Sequence, residues 1–231
     1  MRMKFGIVVF PGSNCDMDMM YVLETIMKQE VVKLWHKDTD LQEVDFVILP
    51  GGFSYGDYLR SGAIAKFSPI MKEIIGFANA GGYVMGICNG FQILTESGLL
   101  PGALLHNTCH KFICKNTFLK ANTKNTLVTN KYGNGAIKIP IAHGEGRYFA
   151  DEKTLKLLVD NDQILFKYCD KDGSITEDAN PNGSLMNIAG VCNKERNVFG
   201  MMPHPERASD GALNNQDGRL LFESILNEVL A

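Results

Sequence analysis

A cysteine flanked by glycines is the residue of this sequence that most clearly points to chemistry. Segment 86–90 reads Gly-Ile-Cys-Asn-Gly; it follows apolar, β-prone residues at 83–85 and precedes helical spacing at 91–97. This G-x-C-x-G spacing is the cysteine counterpart of the nucleophile elbow, a strained strand-to-helix turn in which glycines permit close packing. The free N–H groups at the helix start favour the nucleophilic thiolate. We therefore predict that Cys88 is a nucleophile; the alternative is an inert cysteine in a buried Gly-rich turn.

A histidine and a glutamate two residues apart follow the last predicted strand. Segment 202–207 reads Met-Pro-His-Pro-Glu-Arg, and a proline disfavours the helical region for the residue before it. In an extended segment, residues two apart face the same side. His204 can therefore serve as base and acid while Glu206 fixes its tautomer and orientation. The alternative is a prolyl turn with a surface glutamate.

A Gly-rich loop after the third predicted strand is a candidate oxyanion hole. Segment 50–57 reads Pro-Gly-Gly-Phe-Ser-Tyr-Gly-Asp, and ligands of open α/β sheets bind beyond the carboxyl ends of the strands. Backbone N–H groups around Gly52 and Phe53, with that of Asn89 after the nucleophile, can face a substrate oxygen. The alternative is an ordinary Pro-Gly-Gly turn.

A second thiol, Cys15, also lies between a predicted strand and a helix. Its loop, at 11–16, lacks glycines on both sides of the cysteine. We predict a structural or site-lining role for Cys15.

The loop His-Gly-Glu-Gly-Arg at 143–147 offers a possible base, a carboxylate and a cation. Its glycines leave no rigid extended geometry to hold Glu145 against His143. We therefore predict that His143, Glu145 and Arg147 form the rim of the site or contact a partner. Arg60 and Arg147 are natural contacts for acidic groups of that partner.

Two histidines and two cysteines lie within nine residues. Their spacing matches no standard zinc finger or knuckle, and the segment at 111–115 alternates as a strand does. We expect core and loop residues here and no metal site in the chain. The four residues are His106, Cys109, His110 and Cys114.

The net charge, the apolar runs and the cysteine content argue against several classes of function. The chain has 231 residues and a formal net charge of −3, with no long run of Lys or Arg, which argues against nucleic-acid and membrane-surface partners. The apolar start at 5–10 is too short for a secretory core, and no apolar run approaches the ~18 residues of a spanning helix. Six scattered cysteines are typical of reduced thiols. We expect a cytoplasmic protein.

Predicted strands and helices alternate as far as Gly98, which indicates an α/β fold with a doubly wound, mostly parallel sheet in one domain, 1–231. Beyond 102, shorter alternating segments predict antiparallel strands added to one side of that sheet. The predicted strands are 4–10, 31–35, 46–49, 83–85, 112–120, 126–129, 135–142, 164–168, 186–191 and 198–202, and the predicted helices are 16–29, 68–79, 91–97, 152–160 and 217–230.

Four motifs together resemble the triad (class I) glutamine amidotransferases, which have a flavodoxin-like fold. They are the elbow GICNGFQIL, the loop PGGFSYGDYLR, the loop AHGEGR and the terminal MMPHPERA. The elbow and the His-Pro-Glu segment are shared across that superfamily. FPGSNCD, GGFSYGDYLR, KFIC and AHGEGR are similar to one branch of it, the glutaminase subunits of phosphoribosylformylglycinamidine synthase in de novo purine biosynthesis. The polar loop at 170–184 matches the family least well.

The resemblance implies a Cys88, His204 and Glu206 triad that hydrolyses glutamine, with Gln92 helping to hold the substrate. It also implies that the ammonia passes to a separate synthetase subunit, which uses ATP and Mg to aminate formylglycinamide ribonucleotide, in a complex with a small accessory subunit. No cofactor is expected in this chain, which has neither G-x-x-x-x-G-K-[ST] nor G-x-G-x-x-G. The alternatives are a cysteine peptidase or stress protein of the related elbow fold, and a structural subunit without catalysis.

Overall fold

The computed structural model describes residues 2–229, with side chains to Asn227. The strands are β1 (Lys4–Val9), β2 (Glu30–Trp35), β3 (Phe46–Leu49), β4 (Tyr83–Ile87), β5 (Ala103–Leu105), β6 (Ile113–Ala121), β7 (Ile137–His143), β8 (Arg147–Phe149), β9 (Ile164–Cys169), β10 (Ile188–Cys192) and β11 (Val198–Met201). The α-helices are α1 (Asp16–Tyr21), α2 (Pro69–Asn79), α3 (Asn89–Glu96), α4 (Glu152–Asp160) and α5 (Arg219–Val229).

Nine strands form one sheet in the order β2-β1-β3-β4-β11-β10-β9-β6-β7. The first five are parallel to one another, and the pairs β11–β10, β10–β9, β9–β6 and β6–β7 are antiparallel. The parallel strands β1, β3, β4 and β11 are buried almost throughout, as helix-covered strands must be. The predicted α/β class, with an antiparallel block beside a mostly parallel sheet, is confirmed.

The parallel strands bring the predicted motifs to one edge of the sheet. β1, β3, β4 and β11 are neighbours, and each ends in a chemistry-bearing loop. These loops carry Cys15, Gly52, Cys88 and His204 respectively. Because carboxyl ends of parallel strands share an edge, residues more than a hundred positions apart meet there.

Two predicted elements were wrong in type or extent, and one pair of strands was not predicted. Segment 126–129 is a turn, closed by the Thr129 N–H bond to Thr126 O at 3.1 Å and by a hydrogen bond of 2.6 Å between the hydroxyls of the same two residues. Such local threonine bonds compete with strand pairing. The first predicted helix is α-helical only as far as Tyr21 and continues as a π-helix, Val22–Ile26. The short β5–β8 pair was not predicted. The predicted end of the last helix, at Leu230, lies outside the described residues.

One cluster of buried apolar side chains extends along the chain from Met3 to Ile225. None of the helices in residues 2–229 combines the length and the apolar character needed to cross a bilayer.

Candidate active site

The turn after β4 holds Cys88 in a strained backbone conformation. Its φ of 50° and ψ of −105° lie where few non-glycine residues are found, and it directly precedes α3. The flanking glycines are required by close packing, because a Cβ on Gly90 would lie 1.9 Å from Leu49 O and one on Gly86 2.5 Å from Gly90 O. The geometry is that of a nucleophile elbow, as the spacing predicted.

His204 and Glu206 meet, but not along the extended segment that the sequence predicted. His204 is the residue before a short 3-10 helix, Pro205–Ala208, and its Nδ1 lies 2.6 Å from Glu206 Oε1 in the first turn of that helix. Both side chains are buried, with 1% and 3% exposure. The imidazole is therefore held in one orientation by a carboxylate that water does not screen.

Cys88 lies beside this pair. Burial alone would lower the pKa of His204, but the charges of Glu206 and Cys88 outweigh it and hold that pKa well above its usual value. His204 Nε2 is buried without a hydrogen-bond partner among the described residues, which leaves it available for proton transfer. The Cys88 thiol itself lies 3.7 Å from Ala142 O.

The candidate oxyanion donors are not equivalent. The N–H of Phe53 donates to Gly12 O at 3.1 Å, so the prediction that Phe53 is a donor conflicts with this conformation. The N–H groups of Gly52 and Asn89 make no hydrogen bond within the described residues. Gly52 has a φ of +140°, a region that favours glycine. Gly52 and Asn89 are thus the two N–H groups free to face an oxyanion.

Gln92 connects the elbow helix to the 143–147 loop. Its Nε2 donates to Glu145 O at 2.6 Å, and its Oε1 accepts from Asn89 Nδ2 at 2.9 Å. These bonds fix the side-chain amide where it lines the site.

A cavity of about 170 Å³ lies in front of Cys88. Gly52, Gln92, His143 and two carboxylates, Asp57 and Glu145, are among its lining residues. A larger groove of about 830 Å³ is not lined by Cys88, so it is not where the predicted nucleophile meets a substrate.

His143 was predicted to lie in a rim or partner-contact loop, but it is the last residue of β7 and only 3% exposed. Its ring packs directly over Gly146, where any Cβ would lie 2.2 Å from the imidazole. The sequence did not reveal the supports of this loop: Asn107 accepts from Gly146 N, and Asn182, from the poorly matched 170–184 loop, donates to Gly146 O. The remaining predicted rim carboxylate, Glu145, lines the cavity.

The two predicted rim arginines both have partners in this chain. Arg60 forms an ion pair with Glu96, and Arg147 donates to His106 O at 3.0 Å. Their contact with acidic groups of another protein stays a prediction.

Cys15 lines the back of the triad. Its sulfur accepts from Arg207 Nη2 at 3.1 Å and lies beside the His204 ring, and the residue is 3% exposed. Cys15 does not line the cavity that Cys88 lines, which favours a structural role over nucleophilic attack.

One set of possible metal ligands converges within residues 2–229. The ligand atoms of Cys15, His204 and Glu206 lie within 4.8 Å of one another, but His204 and Glu206 are already bonded to each other. No three residues of the His106–Cys114 group bring their ligand atoms equally close.

Known proteins resemble this chain along its whole length. Residues 2–221 match the CobB/CobQ-like glutamine amidotransferase domain family. The chain is 58% identical over 226 residues to phosphoribosylformylglycinamidine synthase subunit PurQ of Moorella thermoacetica, covering 97% of this chain and 96% of that one. It is 56% identical to the PurQ protein of Acaryochloris marina, over 99% of this chain and 98% of the relative.

Solved structures also resemble this chain. PurLQS from Thermotoga maritima matches with a TM-score of 0.87 and 44% identity, over 99% of this chain and 100% of that chain. Another glutamine amidotransferase from Thermotoga maritima, at 16% identity and a TM-score of 0.57, shares the fold over 99% of this chain and 92% of its own length. The chain therefore belongs to the CobB/CobQ-like glutamine amidotransferase family and, within it, to the PurQ subunits of phosphoribosylformylglycinamidine synthase.

Proposed function

We propose that this chain hydrolyses glutamine to glutamate and ammonia with Cys88, His204 and Glu206, and delivers the ammonia to the synthetase subunit of phosphoribosylformylglycinamidine synthase. One observation carries the proposal. A cysteine on a strained elbow lines a cavity of about 170 Å³ and lies beside a buried histidine, whose Nδ1 is 2.6 Å from a carboxylate oxygen.

The mechanism follows from these positions. The Cys88 thiolate attacks the side-chain carbonyl carbon of glutamine, and the N–H groups of Gly52 and Asn89 stabilise the oxyanion. The His204 imidazolium protonates the leaving nitrogen, and the C–N bond breaks to release ammonia. Neutral His204 then takes a proton from water, whose oxygen attacks the glutamyl thioester, so that glutamate leaves and the thiol is restored.

The other subunits of the complex supply the acceptor reaction and its cofactors. The PurLQS match supports assembly with two other proteins, the synthetase and a small third subunit. We assign ATP and Mg to the synthetase and no cofactor to this chain. We also assign the protein to the cytoplasm, because all six cysteines are free thiols, as in a reducing compartment.

The proposal is tested by trapping the intermediate. The complex is mixed with glutamine, quenched in acid within one turnover and digested, and the mass of the peptide that contains Cys88 is measured. We expect a glutamyl adduct on that peptide alone, and none in Cys88→Ala. An adduct on Cys15, or glutamate formation without any adduct, contradicts the assignment; a peptidase or a silent subunit would release no glutamate from free glutamine.

A further inference from the structure

A tyrosine in the loop that carries Gly52 is held by three other parts of the fold. Tyr55 lies in the short 3-10 turn Ser54–Asp57, which closely follows Gly52. Its φ of 54° and ψ of 28° are left-handed values that a bulky non-glycine residue seldom adopts. A strained residue of this kind persists only where its surroundings determine its position. The contacts of Tyr55 therefore bear on the whole loop.

The hydroxyl of Tyr55 is the centre of a hydrogen-bond network. It lies 2.7 Å from Nδ1 of His36 and 2.8 Å from Oγ of Ser68. His36 and Ser68 are both buried, so water competes little for these bonds. A tyrosyl oxygen both donates and accepts, and these two partners satisfy it in either tautomer of the imidazole. The network joins the loop to the residue after β2 and to the residue before α2.

Tyr55 is also fixed through its ring and its backbone. Its ring packs edge-on against that of His36, with 5.5 Å between the ring centroids, and its centroid lies 6.4 Å from that of Phe10. Its N–H donates to Pro11 O at 2.6 Å. Tyr55 is thus held against the carboxyl ends of β1 and β2, which are neighbours in the parallel part of the sheet.

The two free oxyanion donors depend on the position of this loop. Gly52 pairs with Ser13 in a single antiparallel bridge, and the N–H of Ser54 donates to Asn89 Oδ1 at 3.1 Å. The bond from Ser54 joins the loop to the elbow residue whose own N–H is the second donor. Because Tyr55 directly follows Ser54, a displacement of Tyr55 changes the distance between the two donors. An oxyanion donor is effective only within about 2.7–3.1 Å of the oxygen, so a small displacement weakens it.

We propose that Tyr55 is a positioning residue, held by His36 and Ser68, that keeps the two free oxyanion donors at the distance from the oxyanion that catalysis needs. The inference rests on the proposed function and deepens it, because it assigns the geometry of the oxyanion hole to side chains outside the cavity. None of the three residues lines the active-site cavity. Their effect on catalysis therefore has to pass through the loop.

The test separates the oxyanion donors from the nucleophile, in the complex with the synthetase. Tyr55→Phe removes one hydroxyl and keeps the ring. It should lower kcat for glutamine hydrolysis by about 10- to 100-fold and leave KM within about threefold, because the donors act on the oxyanion of the transition state. Alkylation of Cys88 by iodoacetamide should keep its wild-type rate, since the thiolate displaces iodide from a methylene carbon and no oxyanion forms. That rate is followed by the mass of the peptide that contains Cys88.

Three further variants serve as control and rescue. Tyr132→Phe removes the hydroxyl of another buried tyrosine, which donates to Asp217 O at 3.4 Å and does not line the cavity, so it should keep the wild-type kcat. His36→Leu should lower kcat as Tyr55→Phe does. His36→Asn should recover part of that loss, because its side-chain amide can place a polar atom near the position of Nδ1.

The outcomes are distinct. Loss of kcat together with an equal loss of the alkylation rate would overturn the proposal, because the effect would then lie in the nucleophile or in folding. If the wild-type complex hydrolyses glutamine and Tyr55→Phe does so at the same rate, only this inference fails. A wild-type complex that forms no glutamate from glutamine would overturn the proposed function itself.

Discussion

Nδ1 of His204 lies 2.6 Å from Oε1 of Glu206, and the two side chains are almost completely buried. Because water does not screen this pair, the carboxylate stabilises the imidazolium that forms when Cys88 loses its proton. The carboxylate acts through the imidazole, whereas the imidazole moves the proton. The two residues should therefore differ in what their removal does.

We expect Glu206→Gln to lower kcat less than His204→Ala does. The kcat values of the two variants should differ by a factor on the order of 10². The pKa of His204, measured by NMR titration of the ring, should fall in Glu206→Gln because the stabilising anion is gone. Equal losses of kcat, or an unchanged histidine pKa, would contradict this role. If His143→Ala abolished activity and His204→Ala did not, the catalytic base would be His143.

Cys88→Ala should abolish glutamine-dependent synthesis by the complex and leave synthesis from added ammonium salts intact. Only the generation of ammonia needs the thiol. The matched variant is Cys15→Ala, which removes a buried thiol behind His204 and should keep the glutamine-dependent rate within about tenfold of wild type. The reverse pattern would assign the nucleophile to Cys15.

Gly90→Ala should destabilise the chain severely, because its new methyl group would overlap the backbone oxygen of Leu49. Gly76→Ala is the matched control, since Gly76 lies within α2 and, apart from its chain neighbours and the backbone of the helix itself, no atom lies within 4 Å of the new Cβ. It should stabilise by roughly 0.5–1 kcal/mol through helix propensity. The free energy of unfolding of both variants is measured by urea denaturation. A Gly90→Ala variant as stable as the wild type would contradict the close packing at the elbow.

The free energy of unfolding should decrease as the pH is lowered, because of His143. Its pKa is lowered to about 4 in the folded chain, below the usual value of 6.5, so the unfolded chain binds the proton first as pH falls. The contribution of neutral His143 to the free energy of unfolding is fully present above pH 6.5. As the pH falls from 6.5 to about 4, the free energy of unfolding decreases by about 2 to 3 kcal/mol. Urea unfolding at pH 7.5 and pH 4.5 should show this loss in wild type and a smaller one in His143→Gln. An identical loss in both would exclude the histidine as its source.

The chain alone should hydrolyse glutamine poorly and become active with its synthetase. The loop after Gly52 has positive φ values at Tyr55, Asp57 and Leu59, and Leu59 is 93% exposed. A partner that covers this apolar side chain can hold the loop that presents the Gly52 N–H, and one oxyanion donor is worth ~10² to 10³ in turnover.

Glutamate formation is measured for the chain alone and with the synthetase, its nucleotide and its substrate. Leu59→Ser should weaken activation, whereas Leu157→Ser, which changes an exposed leucine of α4, should not. Full activity of the isolated chain, unchanged on mixing, would refute the prediction.

The sequence by itself determined the parts of the site that depend on neighbouring residues. Gly86 and Gly90 mark the elbow because no side chain fits beside it, and the short spacing between His204 and Glu206 lets their side chains meet within one turn of the chain. The alternation of apolar strands and helices likewise predicted the sheet and the edge where the loops meet.

Only the tertiary structure decided what depends on contacts between distant segments. The burial of His143 comes from Asn107 and Gly146, and the carboxylates of Asp57 and Glu145, 88 positions apart in the sequence, line one cavity. Phe53 was predicted as a donor because its loop follows a strand, yet its N–H binds Gly12, in the loop after β1. Local patterns report the conformation of a segment, whereas solvation, hydrogen-bond partners and charge depend on which segments pack together.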